Sequence, residues 1–223
     1  MNGDRFLTLG HEQQIGLGLM HAARSLLYAE GDYDIAFHAA VVAHSNCGIM
    51  LCAPRECGKS TLAAYLVAQG FELLADEPAL LNMSTWSVRS FPLPVSLKQG
   101  SWHALKQQWP QLGCEPVHVR SDGTKICLAH PSDEHRSPGP RRLTKIVFPH
   151  YRAASPSHLE SVSSLHVLQL LSEGGMLLAR DFTRADFEAF LRWACLTPAF
   201  RLEYTSLQEA WHMLQEMGCL RPL

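Results

Sequence analysis

Gly48-Ile49-Met50-Leu51-Cys52-Ala53-Pro54-Arg55-Glu56-Cys57-Gly58-Lys59-Ser60-Thr61 runs from an apolar, strand-like stretch through a short loop into the start of a helix, with Gly-Lys-Ser at the turn. That layout is a phosphate-binding loop. Successive backbone N–H groups of such a loop, with the unpaired N–H groups of the first helical turn, form a concave anion site suited to nucleotide phosphates. The cofactor-binding stretch is therefore expected over Ala53, Pro54, Arg55, Glu56, Cys57, Gly58, Lys59, Ser60 and Thr61, with Lys59 neutralising the outer phosphates of ATP and Ser60 holding Mg2+. The helix continues through Leu62-Ala63-Ala64-Tyr65-Leu66-Val67-Ala68-Gln69, and Gly70 is placed to cap it. Ala53 stands where the motif usually has its first glycine, and an alanine forced to positive φ there would cost about 1 kcal/mol. Pro54 removes one backbone donor at the loop entry.

Two further features add chemistry. Phe71-Glu72-Leu73-Leu74-Ala75-Asp76-Glu77 reads as an apolar strand that delivers two carboxylates at its end, where a metal ligand or a base for a hydroxyl proton is needed. An acidic turn before Pro78 is the other reading of the same residues. His38 lies in the run Asp34-Ile35-Ala36-Phe37-His38-Ala39-Ala40-Val41-Val42, read as one strand just before the loop strand.

At this point the chain resembles the HPr serine kinase/phosphorylase family, and more closely its shorter HPr-kinase-related branch. In that family a histidine precedes the loop lysine by 21 residues and an aspartate follows it by 17, as His38 and Asp76 do Lys59 here. Asp76-Glu77 followed by an apolar run, the proline-bracketed Phe91-Pro92-Leu93-Pro94-Val95-Ser96-Leu97-Lys98, and Phe200-Arg201-Leu202-Glu203-Tyr204 extend the likeness over roughly 34–214. The resemblance implies that Asp76 accepts the proton of the substrate hydroxyl, assisted by His38, and that Glu77 joins Ser60 and Asp76 on the metal side. It also offers Lys98 as a cation steering nucleotide or acceptor. No counterpart of the HPr enzymes' Glu-Arg-Gly signature stretch is present, so recognition of HPr itself and the reverse phosphorylase reaction are not carried over. The phosphate loop of this family is in turn similar to that of phosphoenolpyruvate carboxykinase.

Length and charge bound the rest. A chain of 223 residues with 47% hydrophobic content can bury a substantial core, and one nucleotide-binding domain over 1–223 is expected. A net charge of −2 gives no bulk attraction to nucleic acid or to an anionic membrane. No apolar stretch approaches the length of a membrane span and the N-terminus does not read as a secretory leader, so a cytoplasmic location is the expectation. Seven cysteines without a paired C-x-x-C pattern are expected to be reduced thiols rather than a zinc site. Cys57 sits inside the loop, where modification would obstruct phosphate binding.

Residues 1–33 read as an N-terminal flap carrying an amphipathic stretch around 14–27 that contains two glycines. Strands are expected near 79–83, 86–90, 117–120, 125–129 and 144–148, with a short helix near 102–108. Residues 130–142, rich in proline and mixed charge, read as a mobile loop whose Arg136, Arg141 and Arg142 can close over phosphates or an acidic peptide. Helical spacing then dominates: Leu165, Leu168 and Leu171 mark one helix, and Phe187, Phe190, Leu191 and Ala194 another, capped by Thr183. A strand over 200–204 precedes a last helix through Leu207, Ala210, Trp211 and Leu214, and Trp193 and Trp211 are expected in the core.

These signals specify an α/β fold: a mixed β-sheet with a P-loop and flanking helices, like the C-terminal domain of HPr kinase. The expected activity is ATP- and Mg2+-dependent transfer of the γ-phosphoryl group to a hydroxyl, serine of a peptide or small protein first. A small-molecule hydroxyl, or a nucleotide-binding regulatory module without catalysis, are the open alternatives. The hexameric habit of the HPr enzymes makes a homo-oligomer an expectation to test.

Overall fold

Continuous apolar runs, rather than alternating ones, dictate a sheet that is covered on both faces. The computed structural model describes residues 12–112, 116–137 and 139–219. Its elements in chain order are α1 (Glu12–Glu30), β1 (Ile35–Phe37), β2 (Ala39–His44), β3 (Cys47–Cys52), α2 (Lys59–Ala68), β4 (Glu72–Asp76), β5 (Ala79–Asn82), β6 (Ser87–Val88), β7 (Val95–Lys98), α3 (Gln99–Leu105), β8 (His118–Val119), β9 (Lys125–Ala129), β10 (Arg141–Tyr151), β11 (His158–Ser161), α4 (Ser164–Gly174), β12 (Met176–Leu178), α5 (Arg184–Leu196), β13 (Ala199–Tyr204) and α6 (Leu207–Leu214). The expected mixed α/β architecture is present, with a mostly antiparallel sheet and flanking helices. Its order is β12-β1-β5-β6-β10-β3-β2-β4, with β13 on the second half of β10 and β11 beyond it. Among the described strands only β10 makes parallel pairs, with β3 and β13. A smaller antiparallel sheet, β7-β9-β8, packs into the same core.

Period-2 alternation distributes the central strands between two clusters. Ala40, Val42, Ile49, Leu51 and Leu73 face α2, α3 and α6, whereas Val41, Met50, Leu74, Ile146 and Phe148 face α4 and α5. Helix α2 is apolar all round because it is enclosed all round: Leu62, Ala63, Ala64, Leu66 and Val67 are almost wholly buried. It stops at Gly70, whose φ of +94° lets its N–H reach the Val67 carbonyl at 3.0 Å while that of Phe71 reaches Leu66 at 3.1 Å. This pair of bonds satisfies the last carbonyls of the helix and turns the chain directly into β4. Trp193 lies in the second cluster with Trp86 stacked on it at 5.1 Å, and Trp211 packs edge-on against Phe71 at 5.7 Å. The Thr183 cap forms, its hydroxyl accepting from Asp186 N–H.

Several expectations are corrected. The run containing His38 is two strands, because β1 pairs with β5 and β12 while β2 pairs with β3 and β4, and the chain bends at His38 to pass from one set to the other. The segment 130–142 is not a free loop: Asp133–His135 form a 3-10 turn, Arg136 and Ser137 lie along Leu73 of β4, and Arg141 and Arg142 already belong to β10. Cys47 is disulfide-bonded rather than reduced, whereas Cys52, Cys57, Cys127 and Cys195 are free. Sequence spacing carried no sign of that bond because the pairing of a single cysteine is set by tertiary proximity. Cys114 and the first eleven residues of the expected flap lie outside the described residues. No helix among the described residues is long and apolar enough to cross a membrane.

Candidate active site

Strand β3 and helix α2 form the two halves of the Gly-Lys-Ser turn, and β4 runs in the same layer two strands away, separated from β3 by β2. The ends of these elements therefore open onto one cleft of about 1230 Å3. Arg55, Glu56, Gly58, Lys59, Ser60 and Thr61 line it from the loop, Asp76 and Glu77 from the end of β4, His38 from the β1–β2 bend and Lys98 from the end of β7. Ala53, Pro54 and Cys57 of the expected binding stretch do not line it. Ala53 and Pro54 instead turn their carbonyls to the buried Lys59 Nζ, which donates to them at 2.8 and 3.2 Å. The Cys57 thiol points back at the Arg55 carbonyl, 3.8 Å away.

The backbone of the turn explains why Ala53 is tolerated. Positive φ falls at Glu56 (+70°) and Gly58 (+89°), not at Ala53, so the missing glycine costs no strain there. Glu56 carries the strained position, and its exposed carboxylate pairs with Lys98 Nζ at 2.9 Å. At Gly58 the requirement is twofold, since a Cβ would also stand 2.4 Å from the Tyr204 hydroxyl oxygen. That hydroxyl donates to the Gly58 carbonyl at 3.3 Å, and burial raises its pKa so that it stays a donor. Gly58→Ala is expected to cost about 1–3 kcal/mol in a urea titration. Adding Tyr204→Phe should recover the steric part and leave the φ part; full recovery, or no loss at all, would contradict this account.

Asp76 is 2% exposed and held from three directions. Ser60 Oγ donates to Oδ1 at 3.0 Å, the Ser96 N–H to Oδ2 at 3.4 Å, and Arg24 Nη2 to the main-chain carbonyl at 3.3 Å. Burial pushes its carboxyl up to about 6 and the Glu77 charge adds to this, while the Ser60 bond, Arg24 and Ser96 pull the other way. Glu77 follows with φ +53°, a left-handed residue that turns its carboxylate back over the cleft. Its Oε1 lies 3.2 Å from His38 Nε2 and 3.8 Å from Lys59 Nζ. The His38 contact has the distance of an ion pair but not the alignment of a hydrogen bond. Burial lowers the His38 pKa, Lys59, Arg55 and Arg24 acting with it and Glu77 against it, so the imidazole is neutral near pH 7 and able to accept a proton.

Of the expected site residues, the structure thus gathers Lys59, Ser60, Asp76, Glu77, His38 and Lys98. It does not bring Arg141 or Arg142 to the cleft: Arg141 is tied to Glu72 at 3.0 Å and Arg142 pairs with Ser87 in the sheet. Three contributors went unread in the sequence. Tyr204 and Ser96 were landmarks of strands rather than partners of the loop and of Asp76, and Arg24 was part of an amphipathic stretch. An arginine on the same helical face as Leu17 and Met20 was the available signal for the last.

Chemically, the arrangement offers a helix N-terminus with a buried ammonium, a buried carboxylate able to exchange a proton near neutral pH, and a neutral imidazole beside the Glu77 carboxylate. Among the described residues no group of three His, Cys, Asp or Glu side chains is placed to hold a metal ion alone. Ser60 and Asp76, in contact, provide a hydroxyl and a carboxylate oxygen, which fits the partial donor set of a magnesium ion whose other ligands are phosphates and water. No protein-family model matches this chain, and no curated protein matches it either.

Proposed function

We propose that this chain is an ATP-dependent kinase of the HPr-kinase-like type, transferring the γ-phosphoryl group to a hydroxyl, with serine of a peptide or small protein as the first acceptor to test. The observation that carries the reading is the 3.0 Å bond from Ser60 Oγ to Asp76 Oδ1. It joins the start of the candidate P-loop helix to the carboxylate that the family resemblance casts as base, inside one cleft.

The residues then divide the work. N–H groups of Gly58–Thr61 bind the β- and γ-phosphates, and Lys59 leaves the loop carbonyls for the phosphate oxygens. Magnesium carried with the nucleotide would be held by Ser60 and Asp76, with Glu77 as a further carboxylate on the metal side, and would supply charge neutralisation. The acceptor oxygen forms its bond to phosphorus as the bond to the ADP oxygen breaks. Its proton passes to Asp76, and His38 stands beside Glu77 to take it onward. Positioning and neutralisation carry most of the catalysis.

A second reading, a nucleotide-binding module without catalysis, is favoured by the Glu56–Lys98 pair, which places a carboxylate in the loop and occupies a cation of the cleft. Incubation with magnesium and γ-labelled ATP over an array of serine peptides separates the two. Label on serine that disappears with Asp76→Asn supports the kinase; nucleotide binding with no label on any acceptor supports the module.

A further inference from the structure

Helix α1 forms one wall of the cleft. Leu17, Met20, His21 and Arg24, spaced three and four residues apart on one face, line it, while Ile15, Leu19 and Leu26 face solvent. Within this wall Arg24 is chemically unusual. Lys59 and Lys98 each lie against a carboxylate, but Arg24 forms no ion pair among the described residues. Among the described residues its single bond is to the Asp76 carbonyl, and its Nε is buried without an acceptor. An arginine keeps its charge in such a setting, and a buried guanidinium N–H without a partner is unfavourable unless a ligand satisfies it. The anchor on Asp76 sets the guanidinium beside the residue that receives the acceptor's proton, on an element that takes no part in the phosphate loop.

We infer that Arg24 recognises an oxyanion of the acceptor, so that the hydroxyl presented to Asp76 belongs to an acid-flanked serine or to a small hydroxy acid. This rests on the kinase reading above. A carboxylate or phosphate next to the reactive hydroxyl accepts from the part of the guanidinium that lines the cleft, in a charge-assisted bond. The bond from Nη2 to Asp76 meanwhile fixes where that anion, and hence the hydroxyl, stands. Arg24 is accordingly a positioning residue that selects the acceptor.

The test uses the full chain loaded with magnesium and a nonhydrolysable ATP analogue, titrated with two isosteric peptides, acetyl-Ala-Ser-Asp-Ala-amide and acetyl-Ala-Ser-Asn-Ala-amide. N-acetylserine and N-acetylserinamide form the small-molecule arm. Binding of the acidic member of either pair should exceed its neutral partner at least about tenfold, the arm with the preference naming the source. Arg24→Gln should remove the preference and leave nucleotide affinity unchanged; Arg24→Lys should retain part of it. Equal binding within both pairs, or a preference untouched by Arg24→Gln, overturns the inference while nucleotide binding stands. Loss of nucleotide affinity in Arg24→Gln also overturns it, by assigning the guanidinium to the nucleotide. Absence of nucleotide binding by the folded wild type removes the kinase reading, and the inference with it.

Discussion

Asp76→Asn is expected to lower phosphoryl transfer about 10^2- to 10^4-fold, the usual contribution of a positioned base. Asparagine keeps the shape of the side chain: its amide can donate to Ser60 Oγ while its oxygen accepts from the Ser96 N–H, so the surrounding bonds survive. The same substitution should change stability in the opposite direction. In the folded protein the Asp76 pKa is raised from 3.8 to about 6, so between those values the folded state binds more protons than the unfolded one. The associated stability is complete below about pH 4 and is lost as pH rises through 6, by up to about 3 kcal/mol. Asparagine has no proton to lose. Urea titrations at pH 4.5 and pH 8 should therefore show the variant gaining on the wild type at the higher pH. Full turnover in Asp76→Asn would exclude the residue as base, and a pH-independent difference would exclude the burial account of its pKa.

Lys59→Ala should weaken nucleotide binding by about 2–4 kcal/mol, thirtyfold to nearly a thousandfold, and reduce transfer with it. The amine is 5% exposed and already desolvated, so a contact with phosphate oxygens would not compete with bulk water. In the absence of nucleotide it donates to the Ala53 and Pro54 carbonyls and faces Glu77, and removing it leaves those acceptors without a donor. Folding should survive, because alanine is favourable at the first turn of a helix whose core face is intact. Calorimetry on folded Lys59→Ala checks the prediction; wild-type affinity in that variant would remove Lys59 from the phosphate site.

Local signals were read correctly wherever chemistry and structure shared the same few residues. The strand, turn and helix around Gly58-Lys59-Ser60, the glycine stop at Gly70 and the carboxylates ending β4 follow from backbone rules that act over a few positions. What escaped was set by distant partners. His38 sits at a break because β1 and β2 pair with different strands, and that break aims its ring into the cleft. Arg141 and Arg142 looked like loop cations because proline and charge surround them, yet β6 draws them into the sheet. Tyr204 and Ser96 touch the loop and Asp76 across the full topology, and nothing in their own neighbourhood announces it. The seat of backbone strain also moved, from the expected Ala53 to Glu56 and Glu77, two acidic residues lining the cleft.

Calorimetric titration of the wild-type protein with magnesium and a nonhydrolysable ATP analogue tests the central claim most directly. The account predicts saturable one-to-one binding that requires the Gly-Lys-Ser turn and is strongly weakened in Lys59→Ala; a folded wild type that takes up no nucleotide would contradict it.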